Sequence, residues 1–352
     1  MGRMRALRWH GREDVRVDVI DVPTPGPGEA LVQIDLCGIC GTDLEEYRAG
    51  PISIPVERAH PLTGRRAPVV LGHEAVGTVA AVGSGVALDL GVRVVPDVVL
   101  GCGECWWCQR HQMGLCAALA VLGQHGDGGC AEYMLTPAAQ AVVVPPDLEP
   151  EVAVFAETTA VAVRAMRKVS DITGGSVAIL GAGAVGLLTA QVARAAGAAS
   201  IVVIDPILAR LQIAHRLGVD VVSAPEDAAD AVKGVTDGRG ADVVVECSGG
   251  QDTLEFALRL SRRGGTVVLV GVDPAASRIA TLDVVIGERL IIGSAAHVWD
   301  EDVAAAVHLL SARIVDTASI PTHVTTLDAA VEEGFGDDRS DAIKVVVDPR
   351  SS

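Results

Sequence analysis

The chain has 352 residues, more than one ordinary hydrophobic core accommodates, so two domains are expected. Its 45 acidic against 28 basic residues leave a net charge of −17, which argues against nucleic acid or an anionic membrane surface as a partner. The opening residues, MGRMRALRWHGREDV, are basic without an apolar stretch behind them, and no run of about 18 apolar residues occurs elsewhere. The expectation is therefore a soluble, cytoplasmic protein whose 8 cysteines serve as thiols or metal ligands rather than disulfides.

In chain order, β-type runs at 15–22 and 30–36 flank the connector PTPGPGE and carry no helical period, implying a β-rich N-terminal region. That texture continues through 68–83 and 92–100, where valines dominate and Gly72, Gly77, Gly83, Gly85 and Gly91 punctuate short strands. Cysteines cluster here. Taken alone, Cys37-x2-Cys40 reads equally as a redox pair or as half of a zinc knuckle. Cys102-x2-Cys105-x2-Cys108-x7-Cys116 is more specific, because four thiolates so close in sequence suit a tetrahedral Zn2+ with no open position. The alternatives are an iron–sulfur cluster or four idle thiols. Gly101, Gly103 and Gly114 fit a loop wrapped around a metal.

From residue 150 the sequence turns Ala-rich and helical, leading into SVAILGAGAVGLLTAQVARAAG at 176–197. An apolar strand runs straight into Gly181, Gly183 and Gly186, with Ala184 and Val185 completing G-x-G-x-x-G spacing. The first two glycines let the turn tighten and a pyrophosphate approach the backbone, and the third lets helix and strand pack closely. A second strand at 201–204 ends in Asp205, placed to bind the adenosine ribose 2′-hydroxyl and to repel a 2′-phosphate. Pro206, Ile207 and Leu208 offer no cation for such a phosphate, which favours NAD over NADP. Arg210 lies either against the adenine or along the helix surface. Further strands at 219–222, 241–247, 266–270 and 290–292 alternate with helical stretches, the pattern of a doubly wound parallel sheet with right-handed crossovers. After His297, an amphipathic helix at 300–311 and a β-type strand at 342–347 form a tail expected to return to the N-terminal domain.

Several motifs appear together. CGICGTD at 37–43, LGHE at 71–74, the four-cysteine lobe, GGCAEY at 128–133 and GAGAVG at 181–186 follow the order found in zinc-dependent medium-chain alcohol dehydrogenases. The chain resembles that family essentially end to end. Its polyol branch is the nearest in pattern, and GPISIP at 50–55, HPLTG at 60–64 and APVVLGHE at 67–74 are similar to the (R,R)-2,3-butanediol dehydrogenases.

The resemblance implies an α/β architecture with two domains. A GroES-like β-rich catalytic domain would comprise residues 1–157 and 297–352, and a Rossmann NAD-binding domain residues 158–296. It implies two Zn2+ per chain, a structural one in the cysteine lobe and a catalytic one on Cys40 and His73. The carboxylate at the catalytic site would come from Glu157, with Glu74 an alternate ligand or a group that exchanges with the substrate oxygen. Cys37 then reverts to a core residue. Thr42 matches the hydroxyl that hydrogen-bonds the substrate alcohol and starts the proton path. Two positions depart from the family pattern: Glu45 stands where a relay histidine is usual, and Thr158 replaces the proline after Glu157.

The implied activity is hydride transfer between a secondary alcohol, of vicinal diol, polyol or cyclitol type, and NAD, giving a ketone, in a homodimer or homotetramer. The alternative is a zinc- and NAD-binding protein with a non-redox or regulatory role and an altered proton relay. His297 follows the last Rossmann strand, where related enzymes line the nicotinamide end of the pocket.

Overall fold

The valine-rich N-terminal runs assemble around one long strand, Glu29–Ile39, buried along most of its length. In the computed structural model, which describes residues 2–272, 276–336 and 342–351, this strand belongs to the first of two units. That unit consists of Met1–Glu157, His297–Ser311 and Pro321–Ser352. Glu29–Ile39 runs antiparallel to Glu74–Val82, Tyr133–Pro137 and Lys344–Asp348, and the last of these pairs in parallel with Thr322–Thr326. Register shifts at Leu31/Val32 and Ile34/Leu36 mark bulges, which bend the strand across the core. A smaller sheet places Arg3–Gly11 between Asp14–Asp21 and Val69–Val70.

The run at 92–100 divides into two strands, Arg93–Pro96 and Val99–Leu100. Pro96 has no N–H to donate to a ladder, and Asp97 turns the chain by accepting the Val99 N–H on its own carboxylate at 2.8 Å. Asp97 is almost wholly buried as a result.

The second unit, Thr158–Ala296 with Ala312–Ile320, contains a six-stranded sheet in which every pairing is parallel. Its spatial order is Val221–Ser223, Ser200–Ile204, Ser176–Leu180, Ala241–Glu246, Ser261–Leu269, Leu290–Gly293. Strand order reverses beside Ser176–Leu180, so the carboxyl ends of Ser176–Leu180 and Ala241–Glu246 flank the crevice where ligands of open α/β sheets bind. The strand expected at 219–222 begins at Val221 because Gly218, at φ +80°, and Val219 complete the end of helix Leu208–Arg216.

Residues 312–320 group with this second unit, whereas the sequence pattern assigned all of 297–352 to the first. The attachment is specific: the Gln191 amide donates to the Asp316 carbonyl at 3.0 Å and accepts the Asp316 N–H at 2.7 Å. The helix expected at 300–311 opens with a π-type turn, Trp299–Val303, before Ala304–Ser311 continues as α-helix. Asp302 holds that opening by accepting the Val298 N–H at 2.9 Å. Among the described residues no helix is long and apolar enough to cross a membrane.

Candidate functional site

Glu29–Ile39 ends at Cys40, which caps helix Gly41–Ala49; the Cys40 N–H donates to the Asp43 carboxylate at 2.9 Å. On the neighbouring strand Gly38 pairs with Glu74, so sheet register carries His73 and Glu74 to the Cys40 end. One ligand atom each from Cys40, His73 and Glu74 falls within 4.8 Å of the others. His73 Nδ1 is buried without a hydrogen-bond partner and faces Asp43 Oδ1, equally unpartnered, at 3.6 Å. A thiol, an imidazole and a carboxylate converge here, the imidazole with an unpartnered nitrogen, in a donor set that fits zinc, with Asp43 placed to orient the imidazole. Burial acts most strongly on His73 and disfavours its charge, yet Asp43 and Cys40 outweigh it and hold the imidazole pKa well above its ordinary value.

Thr42 lies in the first turn of helix Gly41–Ala49, its Oγ1 3.9 Å from Cys40 Sγ. Glu45 is exposed on the same helix. Glu74 is engaged by a residue that the sequence pattern did not single out: Lys344 Nζ donates to both of its oxygens at 2.6 Å. Lys344 opens the strand on the opposite side of Gly38, so three adjacent strands build the contact. Gly38 is required here, because a Cβ at that position would collide with the Glu74 carboxylate. Burial opposes the Lys344 charge most strongly, but Glu74, Cys40 and Glu157 together raise its pKa.

Glu157 stands apart from this three-residue group. It sits in the first turn of helix Ala156–Arg167, and its Oε1 accepts from His297 Nε2 at 3.1 Å. The other nitrogen of that imidazole, Nδ1, faces Asp97 Oδ1 at 3.3 Å. Burial is the largest influence on Glu157 and favours its neutral form; His297, His73 and Lys344 reverse it and leave the carboxyl below its ordinary value. For His297, burial again acts against charge, and Asp97 and Glu157 prevail, raising the imidazole to about 10. Of the groups missed in the sequence, Asp43 had a usable signal, a carboxylate in the same motif as a ligand. Asp97, Lys344 and the His297 contact had none, because each depends on strand pairing or on chain returning from far away.

The four lobe cysteines also converge, each Sγ within 4.8 Å of the others. Backbone N–H groups already point at the sulfurs: Cys105 donates to Cys102 Sγ at 3.3 Å, Cys102 and Ala118 to Cys116 Sγ at 3.4 Å, and Cys108 to Cys105 Sγ at 3.5 Å. Such donors stabilise thiolates, and the Cys108 N–H leads the influences lowering Cys105 to about 6. This donor set also fits zinc, in a closed arrangement.

In the second unit, the strand Ser176–Leu180 enters Gly181 at φ +97° and helix Ala184–Ala195 starts after Gly183. A Cβ on Gly186 would collide with the Gly181 carbonyl oxygen, so the third glycine is demanded by packing. Open space faces the Cβ direction of Gly183, which leaves the helix N-terminus accessible to a phosphate. Ala184 and Val185 form the first turn of that helix. Asp205 lies at the end of Ser200–Ile204, 3% exposed, with Oδ2 accepting the Ala182 N–H at 2.7 Å and Oδ1 the Ile207 N–H at 2.8 Å. The carboxylate thus ties the glycine turn to the end of the next strand. Arg210 is drawn to it, Nη1 at 3.8 Å from Oδ2, so a cation absent from 206–208 arrives from one turn further along.

Residues 26–146 match the alcohol dehydrogenase GroES-like domain and residues 184–312 the zinc-binding dehydrogenase domain. The chain is 34% identical over 339 residues to (R,R)-butanediol dehydrogenase of Bacillus subtilis (strain 168), covering 95% of both. It is 36% identical over 302 residues to L-threonine 3-dehydrogenase of Pyrococcus furiosus, spanning 84% of this chain and 83% of the relative. A solved structure from Sinorhizobium meliloti 1021, bound to NADP, superposes with a TM-score of 0.89 at 32% identity, covering 99% of this chain and 100% of the other.

Proposed function

From the premise that this chain belongs to the zinc-type medium-chain alcohol dehydrogenases, in the branch of the butanediol enzymes, we propose that it oxidises secondary alcohols bearing a second polar group on the adjacent carbon, with NAD as hydride acceptor. The convergence of Cys40, His73 and Glu74 carries this reading. Butanediol and threonine, named in the relatives, share that chemistry: a secondary hydroxyl beside a hydroxyl in one and beside an amine in the other. Vicinal diols, polyols and cyclitols fit the same description.

Each chain is proposed to hold two zinc ions, one on Cys102, Cys105, Cys108 and Cys116 and one on Cys40 and His73 with a carboxylate from Glu74 or Glu157. Zinc at the second site supplies Lewis acidity that makes a substrate hydroxyl easier to deprotonate. The nicotinamide supplies a hydride acceptor. Cys40 and His73 fix the ligand framework, and Asp43 keeps the imidazole oriented. Thr42 receives the hydroxyl proton and passes it outward. Glu45, exposed on the same helix, serves as the surface acceptor, with a lower intrinsic pKa than a relay histidine would have.

Gly181, Gly183 and Gly186, with Ala184 and Val185, seat the pyrophosphate, while Asp205 receives the ribose hydroxyl. Preference for NAD rests on the Asp205 charge at that position, opposed by Arg210 beside it. The protein is proposed to be cytoplasmic and to self-associate as a homodimer or homotetramer. Leu290–Gly293 closes one end of the parallel sheet, and Leu282, Val285, Ile286 and Leu290 are exposed on or near it. A second copy adding its own edge strand would cover them.

The test is a panel of vicinal diols, β-hydroxy amino acids, cyclitols and simple alcohols with NAD and with NADP, following reduced-nicotinamide absorbance, with zinc quantified in the same samples. Expected are turnover of vicinally substituted secondary alcohols, two zinc ions per chain, and loss of one zinc and all turnover in a folded Cys40→Ser variant. One zinc per chain, held by the lobe, together with no turnover across the panel would reject the reading in favour of a non-redox NAD-binding protein. Sedimentation of the purified protein as a monomer would reject self-association.

A further inference from the structure

Asp97, His297 and Glu157 come from three distant parts of the first unit and meet in a line. Asp97 is 1% exposed, His297 2% and Glu157 8%. The line has a fixed end. Asp97 is clamped by backbone on both sides of its Cα, its N–H donating to the Gln140 carbonyl at 2.9 Å and its Oδ1 accepting the Val99 N–H at 2.8 Å. From there the imidazole spans to Glu157, with Nδ1 3.3 Å from Asp97 Oδ1 and Nε2 3.1 Å from Glu157 Oε1. The other end of the line is a carboxylate that feels the charges of His73, a member of the Cys40 cluster, and of Lys344, which holds Glu74.

Burying three ionisable side chains costs several kcal/mol in lost hydration, and apolar residues of similar volume would fill the same space without it. Fold stability therefore does not account for the trio. Orientation does. Where metal sites are supported from behind, a carboxylate or backbone group fixes an imidazole or carboxylate so that its remaining lone pairs face the metal.

We propose that the Asp97–His297–Glu157 chain aims the Glu157 carboxylate at the zinc site, making His297 a positioning residue for that site. With Oε1 committed to His297, Oε2 is the oxygen that serves the metal or the substrate hydroxyl. Glu74, held at both oxygens by Lys344, is then the carboxylate less ready to serve. The proposal rests on the zinc-site reading above and adds to it which carboxylate is prepared and by what.

The experiment uses the zinc-loaded, full-length protein and measures zinc transfer to a competing chromophoric chelator. Wild type, His297→Ala, His297→Gln, Glu157→Gln and the His297→Ala/Glu157→Gln double variant are compared, with thermal melting as a fold control. His297→Ala is expected to weaken the Cys40 site by about 10–100-fold, the range for loss of an orienting partner, and to leave the lobe zinc unchanged. His297→Gln, which keeps one donor toward Glu157, is expected to recover part of that loss. The double variant is expected to be no weaker than Glu157→Gln alone, since His297 acts through Glu157.

Wild-type affinity at the Cys40 site in folded His297→Ala overturns the proposal, as do multiplying losses in the double variant. A parallel fall of both zinc sites and the melting temperature, unrelieved by glutamine, also overturns it by marking a merely structural role. Turnover is scored separately. Inactive wild type with the expected zinc pattern rejects the proposed reaction and leaves the positioning intact, whereas active wild type with an indifferent His297→Ala rejects the positioning alone.

Discussion

Replacing Lys344 with methionine removes a cation while keeping most of the length and volume of its side chain. The ammonium sits 2.6 Å from both Glu74 oxygens, and the two residues are 5% and 1% exposed, so water cannot take its place. At an effective dielectric near 20, Coulomb attraction at such a spacing is about 6 kcal/mol. Hydration already forfeited on burial offsets much of this, and removing one partner of a buried pair costs about 3–5 kcal/mol net. Lys344→Met is therefore expected to lose about 3–5 kcal/mol in urea unfolding of the zinc-loaded protein. Glu74→Gln/Lys344→Met, with neither charge left, is expected to regain most of it, and the cycle should give a coupling of at least about 2 kcal/mol. Freed Glu74 oxygens should also slow zinc release from the Cys40 site. Stability within about 0.5 kcal/mol of wild type for Lys344→Met, or strict additivity in the cycle, would show that the pair contributes no more than an exposed ion pair and refute the reasoning.

Three further perturbations test other parts of the structure. Gly186→Ala drives a methyl group against the Gly181 carbonyl and is expected to cost about 1–3 kcal/mol and weaken NADH binding at least tenfold, read by fluorescence titration; unchanged binding and melting would reject close packing at the turn. Asp242 accepts from Ser176 N and Oγ at 2.8 and 2.7 Å and from Arg262 Nε at 2.6 Å; burial opposes these bonds, but they hold its carboxyl below the ordinary 3.8. Because the folded-state value is the lower one, the stabilisation is present above about pH 4 and is lost as pH falls through the folded value. Unfolding curves of Asp242→Asn and wild type should thus differ at neutral pH, by no more than about 1 kcal/mol given partial solvent screening, and converge in acid; a constant gap at every pH would reject the assignment. Cys116→Ser is expected to remove one of the two proposed zinc ions and to shift the emission of Trp106 and Trp107 in the same lobe, and an unchanged zinc count would contradict four-thiolate ligation.

What could be read from sequence was whatever the chain encodes over short spans. The glycine turn is legible because Gly181, Gly183 and Gly186 must be adjacent to act, and the cysteine lobe because one loop supplies all four thiols. Strand-helix alternation marks the parallel sheet for the same reason, and Asp205 stands out because it ends the next strand. The first unit yields less. Its site is assembled by antiparallel pairing, and no local pattern says that Gly38 will lie between Glu74 and Val346. Lys344 consequently reads as one residue in a β-type tail. Asp97 was hidden differently, inside a valine run that looks like an unbroken strand until Pro96 and the Asp97 carboxylate turn it. His297 drew notice for its place after the last parallel strand, but its partners could not be named.

These hidden residues bear directly on the question the ligand pattern left open, which carboxylate would serve the proposed zinc site. Glu74 begins a central strand and is gripped at both oxygens by a cation reaching across the intervening strand Glu29–Ile39, so moving it toward a metal means giving up a buried ion pair. Glu157 begins a helix and is held at one oxygen by an imidazole, so its second oxygen can act without breaking that contact. The two positions differ by the charge and number of the donors behind them rather than by the carboxylate itself. On the proposed reading, one carboxylate held in reserve and another aimed from behind would let the site exchange a ligand for a substrate oxygen without losing its framework of Cys40 and His73. The zinc-release behaviour of Lys344→Met and His297→Ala should therefore be opposite in sign, slower in the first and faster in the second. A shift in the same direction for both would mean that the carboxylates do not divide the work in this way.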